Sequence, residues 1–503
     1  PLVDAAAAER ILQLKVVDPA MGSAAFLVSA CRYLARAYER ALVRDGSAGE
    51  SDIDETDRAA FRRLVAQRCL FGVDLNPTAV QLARLSLWLA TLAANKPLTF
   101  LDHRLVCGNS LIGASPVDIA RQPPGLRLRA SRYGAHARSR PNRAGTPLFS
   151  EFELEPSLAR AVAERRWLAE TSDDTADVVR EKERRLERLR TGERWKSVAD
   201  LWCACWMWPD PHTAPEPAVF ASLADKLMTG RSGLPDRTSA ALLRDADRIA
   251  ASHHFFHWML EFPEAYFDEA GQPLAAGGFD AVLGNPPWDM LRAGGAEKTF
   301  FRRSGVYRHQ GAGHMNRYQM FVERALALTK RGGRIGLVLP AGFATDHTSA
   351  PLRRALLGRT SIDTITGFDN RRAIFPIHRS VRFLVCTTTA GDATRHIACR
   401  FGIDEAAELE TIPDSGDRTI RSHPISLTPS FLEALSGSAA TIPELRGVVD
   451  MRILERVVHS IPRLGAADGW GVRFGRELNA TDDRRHFHSN KGGMPVLEGK
   501  HIE

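Results

Sequence analysis

The stretch "LQLKVVDPAMGSAAFLVSA", Leu12–Ala30, sets the fold. A short apolar run ends on Asp18, a Pro and a Gly interrupt it, and beyond Ser23 apolar residues recur at helical spacing. That is a strand, a tight turn and a helix, with the helix expected over about Ser23–Arg40. The same unit returns twice. "CLFGVD" is a second strand, followed by a helix from about Thr78 to Ala94, and "RLVCGNS" is a third strand. Strands alternating with helices in this way build a parallel sheet wrapped by helices.

The rhythm then stops for about 160 residues and resumes with "FDAVLGN", a helix across "NRYQMFVERALALTK", and "GRIGLVLP" after a Gly-Gly turn; "SIDTITGFDN" and "SVRFLVCTTT" are two more strands. The expected division is therefore 1–114 and 279–390 as two halves of one core, 115–278 as a mostly helical basic insertion, and 391–503 as a region of weaker pattern. Within the insertion, "QPPGLRLRASRYGAHARSRPNR" (122–143) carries Arg127, Arg129, Arg132, Arg138, Arg140 and Arg143 with no acid. It reads equally as a solvated loop and as a nucleic-acid contact. Charged helical periodicity from Pro156 to Arg194 suggests a two-helix excursion, and "SVADLWCACWMW" is apolar enough to dock it on the body.

Composition places the chain among globular proteins. Of 503 residues, 44% are hydrophobic and 25% charged, which fits a globular protein rather than a disordered or membrane one. No apolar run reaches the roughly 18 residues of a spanning helix, and the N-terminus lacks a signal-peptide pattern, so a cytoplasmic protein with no membrane partner is expected. Seven cysteines form no Cys-x-x-Cys pair, which fits buried thiols in a reducing compartment, Cys203 and Cys205 included. A net charge of +7 permits a nucleic-acid partner. The chain starts at Pro1 and ends on "EGKHIE", and it reads as a fragment of something longer.

The chemistry gathers at the strand ends. Asp18 closes the first strand, with Gly22 and Ser23 opening the helix; Asp74 closes the second, where such folds place an acid that binds ribose hydroxyls; "CGNSL", with Asn109, closes the third. Neither Gly-x-Gly-x-x-Gly nor a phosphate-cradling Gly-x-x-x-x-Gly-Lys-Ser/Thr is present, so the cofactor lacks a pyrophosphate, and S-adenosylmethionine fits. His253, His254 and His257 have no carboxylate or cysteine at ligand spacing, so aromatic packing is expected there and no metal. A Glu-x-Lys in "LEGK" reads as an ordinary loop.

Five blocks in register, "DPAMGSAAF", "GVDLNPTAVQLARLSLWLAT", "CGNSLIG", "FDAVLGNPPW" and "RIGLVLPAGFATD", resemble the gamma-class adenine-N6 DNA methyltransferases. The resemblance is to the methylase region of bifunctional type II restriction-modification enzymes and of BREX- and DISARM-type phage-defence methylases, and it spans about Val16 to Cys386. It implies an α/β, Rossmann-like class I S-adenosylmethionine-dependent methyltransferase with a helical insertion and the start of a C-terminal DNA-recognition region. It also implies transfer of a methyl group to the N6 amine of a flipped-out adenine in double-stranded DNA, with other subunits of a defence complex as further partners. In the resemblance Asp18, Ala20, Gly22, Ser23, Asp74, Leu75 and Asn109 line the cofactor. The side-chain oxygen of Asn285 and the carbonyl of Pro286 accept the amine's N–H groups, Pro286 and Pro287 stiffen the turn, Trp288 stacks on the base and Phe375 of "AIFPIHRS" packs against it.

The blocks depart from the family at three places. Asn109 stands where Asp is usual, and Ala24 replaces the second glycine of Gly-Ser-Gly, harmless if helical and strained at positive φ. The early Tyr-Thr-Pro block is absent. Two other readings stay open: a methyltransferase acting on RNA or on a protein glutamine, and a DNA-binding subunit of a defence complex with weak or lost turnover.

Overall fold

The computed structural model describes residues 6–92, 100–121, 151–191, 194–291, 295–311, 313–412, 422–466, 469–472 and 486–487. The strands are β1 (Val16–Asp18), β2 (Leu70–Asp74), β3 (Leu105–Cys107), β4 (Phe279–Gly284), β5 (Thr329–Pro340), β6 (Thr360–Asp369), β7 (Arg382–Ala390), β8 (Ile397–Ile403) and β9 (Ile425–Leu427). They form one sheet in the order β3-β2-β1-β4-β5-β7-β6-β8-β9. From β3 to β5 neighbours run parallel, and β7 lies antiparallel between β5 and β6. The parallel run from β3 to β5 is the α/β, Rossmann-like core that the resemblance implies, and the reversal of β7 was not read from the sequence. The strand order turns back between β1 and β4, and at such a switch point a parallel sheet opens a crevice beyond the carboxyl ends of its strands. Asp18 ends β1 and Asn285 follows β4 at that edge.

Local sequence accounts for these elements. All of β1 and the first four residues of β2 are buried, which is why they read as unbroken apolar runs rather than alternating ones. The helix after β1 is Ala25–Arg44, two residues later than expected at its start, because Ala24 takes the left-handed conformation (φ 67°, ψ 28°) and cannot join it. Its buried face, Leu27, Cys31, Leu34, Tyr38 and Ala41, keeps the helical period. The helix Pro77–Ala90 opens with an Asn76 side chain that accepts the Thr78 N–H, and with a proline where no hydrogen bond is lost.

Between β3 and β4 the described residues of the insertion are helical, chiefly Glu151–Glu170, Ala176–Thr191, Arg194–Trp206, Pro217–Thr229 and Asp236–His253. The first two form the two-helix excursion, and Arg194–Trp206 buries Trp202, Cys203 and Cys205. The arginine-rich segment 122–143 and the "LEGK" segment lie outside the described residues. Buried polar groups fasten the excursion to the core. Asp173 pairs with Lys182 in full burial and accepts hydrogen bonds from the Gln67 side chain and the Phe100 N–H. Arg104 pairs with Glu264 at 3.1 Å and lies over the Phe71 ring.

Past residue 390, where the sequence pattern weakens, β8 and β9 continue the sheet. Residues 1–448 form one compact unit and 449–503 a second. The described part of the second is mainly the end of a helix, Val448–Ser460, with Val449, Ile453 and Val457 exposed. Among the described residues no helix is long and apolar enough to cross a membrane. Six of the seven cysteines are buried and none is in a disulfide.

Candidate active site

Three strand tips meet through hydrogen bonds. Asp18 is 1% exposed; its Oδ1 accepts the Ala20 N–H at 3.0 Å, while its buried Oδ2 has no partner among the described residues. Burial lifts this carboxyl from its ordinary 3.8 to about 7, the Ala20 N–H opposes the rise, and the charge of Asp74 adds to it. Asp74 organises the turn below: its Oδ2 accepts the Gly22 N–H at 2.9 Å and its Oδ1 the Asn76 N–H at 2.8 Å. Gly22 (φ 53°) and Ala24 (φ 67°) are both left-handed on either side of exposed Ser23. For glycine the conformation is free. For the fully buried Ala24 it costs about 1–2 kcal/mol, so the strained alternative applies.

The tip of β3 is held from two sides. Ser110 Oγ donates to the Pro19 carbonyl, which joins the third strand end to the first. From the insertion, the His254 carbonyl accepts the Asn109 N–H at 2.6 Å, Phe256 N–H donates to Ile112 O at 2.9 Å, and Trp258 Nε1 donates to Ser110 O at 3.0 Å. His257 is buried; its Nδ1 accepts the Ala114 N–H at 3.0 Å, which leaves the proton on Nε2 to donate to Asp200 at 2.9 Å. The histidine run is thus spent on backbone geometry, and sequence reasoning missed that residues 254–258 close the third strand end. Asn109 is buried with Oδ1 accepting the Leu111 N–H at 3.2 Å, and that oxygen keeps a second lone pair. Leu75, next to Asp74, is 46% exposed.

At the tip of β4 the backbone runs against Asp18. A Cβ on Gly284 would stand 2.6 Å from Asp18 Oδ1, so only glycine lets the Asn285 turn follow this path. Asn285 Oδ1 is buried and has no hydrogen-bond partner among the described residues; Pro286 is buried and Pro287 exposed. A buried amide oxygen left unpaired costs about 1–3 kcal/mol, and a donor brought to the turn would recover it. Trp288 packs on the cluster of Val338, Phe368, Phe383 and Ile403, and so does Phe375, whose ring lies 5.5 Å from that of Phe383. Residues 87 positions apart thus share one apolar wall beside the turn.

Asn370, which sequence reasoning also missed, holds that wall. It is fully buried at the end of β6; its Nδ2 donates to the carbonyls of Phe375, Ile377 and His378 at 3.1–3.4 Å, and its Oδ1 accepts the Phe375 N–H at 2.9 Å. A polar residue just past a strand, in "GFDN", was the available signal.

Comparison with known proteins places the chain among restriction-modification methylases. A family model described as Eco57I restriction-modification methylase matches residues 68–375, and one described as MmeI, DNA-methyltransferase domain, matches residues 5–105. The putative type II restriction enzyme and methyltransferase RM.MjaORFECS2P of Methanocaldococcus jannaschii is 21% identical over 363 residues, which cover 68% of this chain. The match spans 27% of that relative's length. Among solved structures, the type I restriction enzyme EcoKI M protein overlaps 93% of this chain and 72% of its own, at 13% identity and a TM-score of 0.36. The type IIL restriction-modification enzyme MmeI in complex with DNA overlaps 79% of this chain and 34% of its own, at 13% identity and a TM-score of 0.32.

Proposed function

Because the chain belongs to the Eco57I restriction-modification methylase family, we propose that it transfers a methyl group from S-adenosylmethionine to the N6 amine of a flipped-out adenine in double-stranded DNA. The observation that carries this reading is Asn285 Oδ1, a buried acceptor without a partner among the described residues, at the sheet's switch point. Adenine's exocyclic nitrogen is a poor nucleophile because its lone pair is delocalised into the ring. Asn285 Oδ1 and the Pro286 carbonyl accept its two N–H groups, draw the nitrogen toward a pyramidal form and aim its lone pair; Pro286 and Pro287 hold both oxygens in place beforehand. Trp288 and Phe375 receive the base out of the helix stack on their shared apolar wall.

The residues present fit the cofactor. Asp18 Oδ2, which has no partner among the described residues, suits a cationic amino group, the bends at Gly22 and Ala24 bring backbone close, and Asp74 and Asn109 keep lone pairs for ribose hydroxyls and an adenine amine. S-adenosylmethionine supplies an electrophilic methyl group on its sulfonium, so the proposed chemistry needs no metal. We assign residues 1–114 and 279–390 to the catalytic core, whose sheet β8 and β9 extend, the arginine-rich stretch 122–143 of the insertion 115–278 to phosphate contacts and the rest of 391–503 to the approach to target recognition, in a cytoplasmic restriction-modification or phage-defence system.

The reading of a weakened DNA-binding subunit draws on the strain at Ala24. A cost of about 1–2 kcal/mol lowers cofactor affinity by roughly five- to thirtyfold at most, which slows an enzyme rather than silencing it. The test is transfer of tritiated methyl to DNA from a host without adenine methylation, followed by nucleoside analysis. N6-methyladenine is expected, and Asn285→Ala should abolish it while cofactor binding stays within about twofold. Retained transfer in that variant refutes the mechanism.

A further inference from the structure

The far end of the Asn-Pro-Pro-Trp turn is fastened to a second element. Past Trp288 the Asp289 carbonyl accepts the Arg317 N–H at 2.9 Å, the Leu291 N–H donates to Met315 O at 2.9 Å, and Met290 forms an antiparallel bridge with Asn316. Arg317 opens the helix Arg317–Leu328, whose start is closed by reciprocal bonds between Asn316 and Gln319. The Arg317 side chain turns back on the loop. Its Nε donates to Asp289 Oδ2 at 2.8 Å and its Nη2 to Glu297 Oε2 at 3.0 Å, in the helix Ala296–Arg303. Behind it the anchor is firm: Gln319 Nε2 donates to Ser349 Oγ at 2.8 Å in full burial, and Tyr318 Oη lies 3.2 Å from the same oxygen.

We propose that Arg317 is a positioning residue for the methyl-transfer step: through Asp289 it fixes the downstream end of the turn, and with it the aim of Asn285 and the Trp288 face. The inference rests on the function proposed above. The upstream end of the turn is fixed already, because Gly284 is wedged against Asp18 and β4 is paired on both sides. Beyond it Trp288 rests on the Phe383 cluster and residues 289–291 on backbone bonds to 315–317, and the Arg317 side chain adds the tie that joins Asp289 to the helix Ala296–Arg303. The side chains of Arg317 and Asp289 are 27% and 57% exposed, and ion pairs so exposed contribute little to folding. Their geometric effect is of another order, since a misplacement of about 1 Å at a reacting group costs on the order of a hundredfold in rate.

The two effects separate experimentally in the full-length protein. Arg317→Ala and Asp289→Ala should each lower kcat on unmethylated DNA by about ten- to a hundredfold, with cofactor Kd, KM for DNA and melting temperature close to wild type. The double variant should be no worse than either single one, and Arg317→Lys, which can reach one carboxylate, should recover part of the loss. Unchanged kcat in Arg317→Ala overturns the proposal, as does a loss confined to KM for DNA, which would make Arg317 a phosphate contact. Hydrogen exchange needs no substrate: the amides of Trp288 to Leu291 should exchange faster in Arg317→Ala, and equal rates overturn the clamp. If the wild type methylates no DNA but the exchange result holds, the functional reading fails while the clamp stands.

Discussion

Asp18 offers a test in which stability and function move in opposite directions. Its carboxyl is raised from 3.8 to about 7, burial being the largest cause. At about 1.4 kcal/mol per pH unit, holding it charged in the folded protein costs on the order of 4 kcal/mol. The folded-state value lies above the unfolded one, so the folded protein keeps a proton that the unfolded chain releases between about pH 4 and 7. Its contribution to stability therefore falls as pH rises through that window and is flat above it. Asp18→Asn cannot titrate. It can still accept the Ala20 N–H, and the new buried amide adds a cost of about 1–3 kcal/mol that does not depend on pH. The difference in stability between wild type and variant should therefore drift toward the variant by up to about 1.4 kcal/mol per pH unit from pH 4.5 to 7 and then level off. Urea unfolding at half-unit intervals measures it. The cofactor should act the other way: a cation beside Oδ2 favours the carboxylate, so wild-type affinity should rise by up to about tenfold per pH unit toward pH 7, and the variant should bind weakly at every pH. Parallel stability curves, or a cofactor affinity in Asp18→Asn equal to wild type, refute this account.

Two further outcomes follow from other parts of the fold. Asn370→Asp keeps the volume but turns three donated hydrogen bonds into repulsions between a carboxylate and the carbonyls of Phe375, Ile377 and His378; kcat should fall about ten- to a hundredfold with cofactor binding retained, and unchanged steady-state kinetics would show that the Phe375 wall is not needed. Asp173→Ala leaves the Lys182 ammonium buried without its counter-charge, so chemical denaturation should report a loss of about 3–5 kcal/mol, and a loss below about 1 kcal/mol would mean that the excursion does not depend on this pair.

The core of the fold was legible because burial imposes a period. Strands covered on both faces, such as "VVD" and "LFGVD", read as continuous apolar runs up to the aspartate at their tip, and the turns after them are small and polar. The start of the first helix was misjudged because Ala24 carries no local sign of positive φ; the hydrogen bonds of Met21 and Gly22 to Val73 and Asp74 impose the bend, and they exist only once β1 and β2 have paired. The candidate site was legible in its motifs and not in its supports. Asn285 and Trp288 could be singled out from four consecutive residues, whereas Asn370 and Arg317 act through partners that no spacing rule connects. The run "HHFFHW" announced aromatic packing, yet its backbone does as much as its rings, and backbone pairing at residues 254–258 leaves no compositional trace.

That pairing changes what the insertion is. A long loop thrown out between two strands consecutive in the chain adds little closure entropy, since each doubling of length costs only about 0.6 kcal/mol, so an appendage between β3 and β4 would be tolerated without touching the sheet. Here the return leg is built into the sheet's edge. Asn109 and Phe255 pair as parallel strands do, and a Cβ on Gly113 would fall 1.9 Å from the Phe256 carbonyl oxygen. The glycine is thus fixed by the insertion rather than by the core that precedes it, and the Asn109 turn holds its shape because residues 254–258 are bonded to it. Cutting the insertion back to a short linker would therefore strip the N–H groups of Asn109 and Ala114 and the carbonyls of Ser110 and Ile112 of the partners that His254, His257, Trp258 and Phe256 give them. The third strand end and the helices that interrupt the core form one structural unit, and a change at either is felt at Asn109.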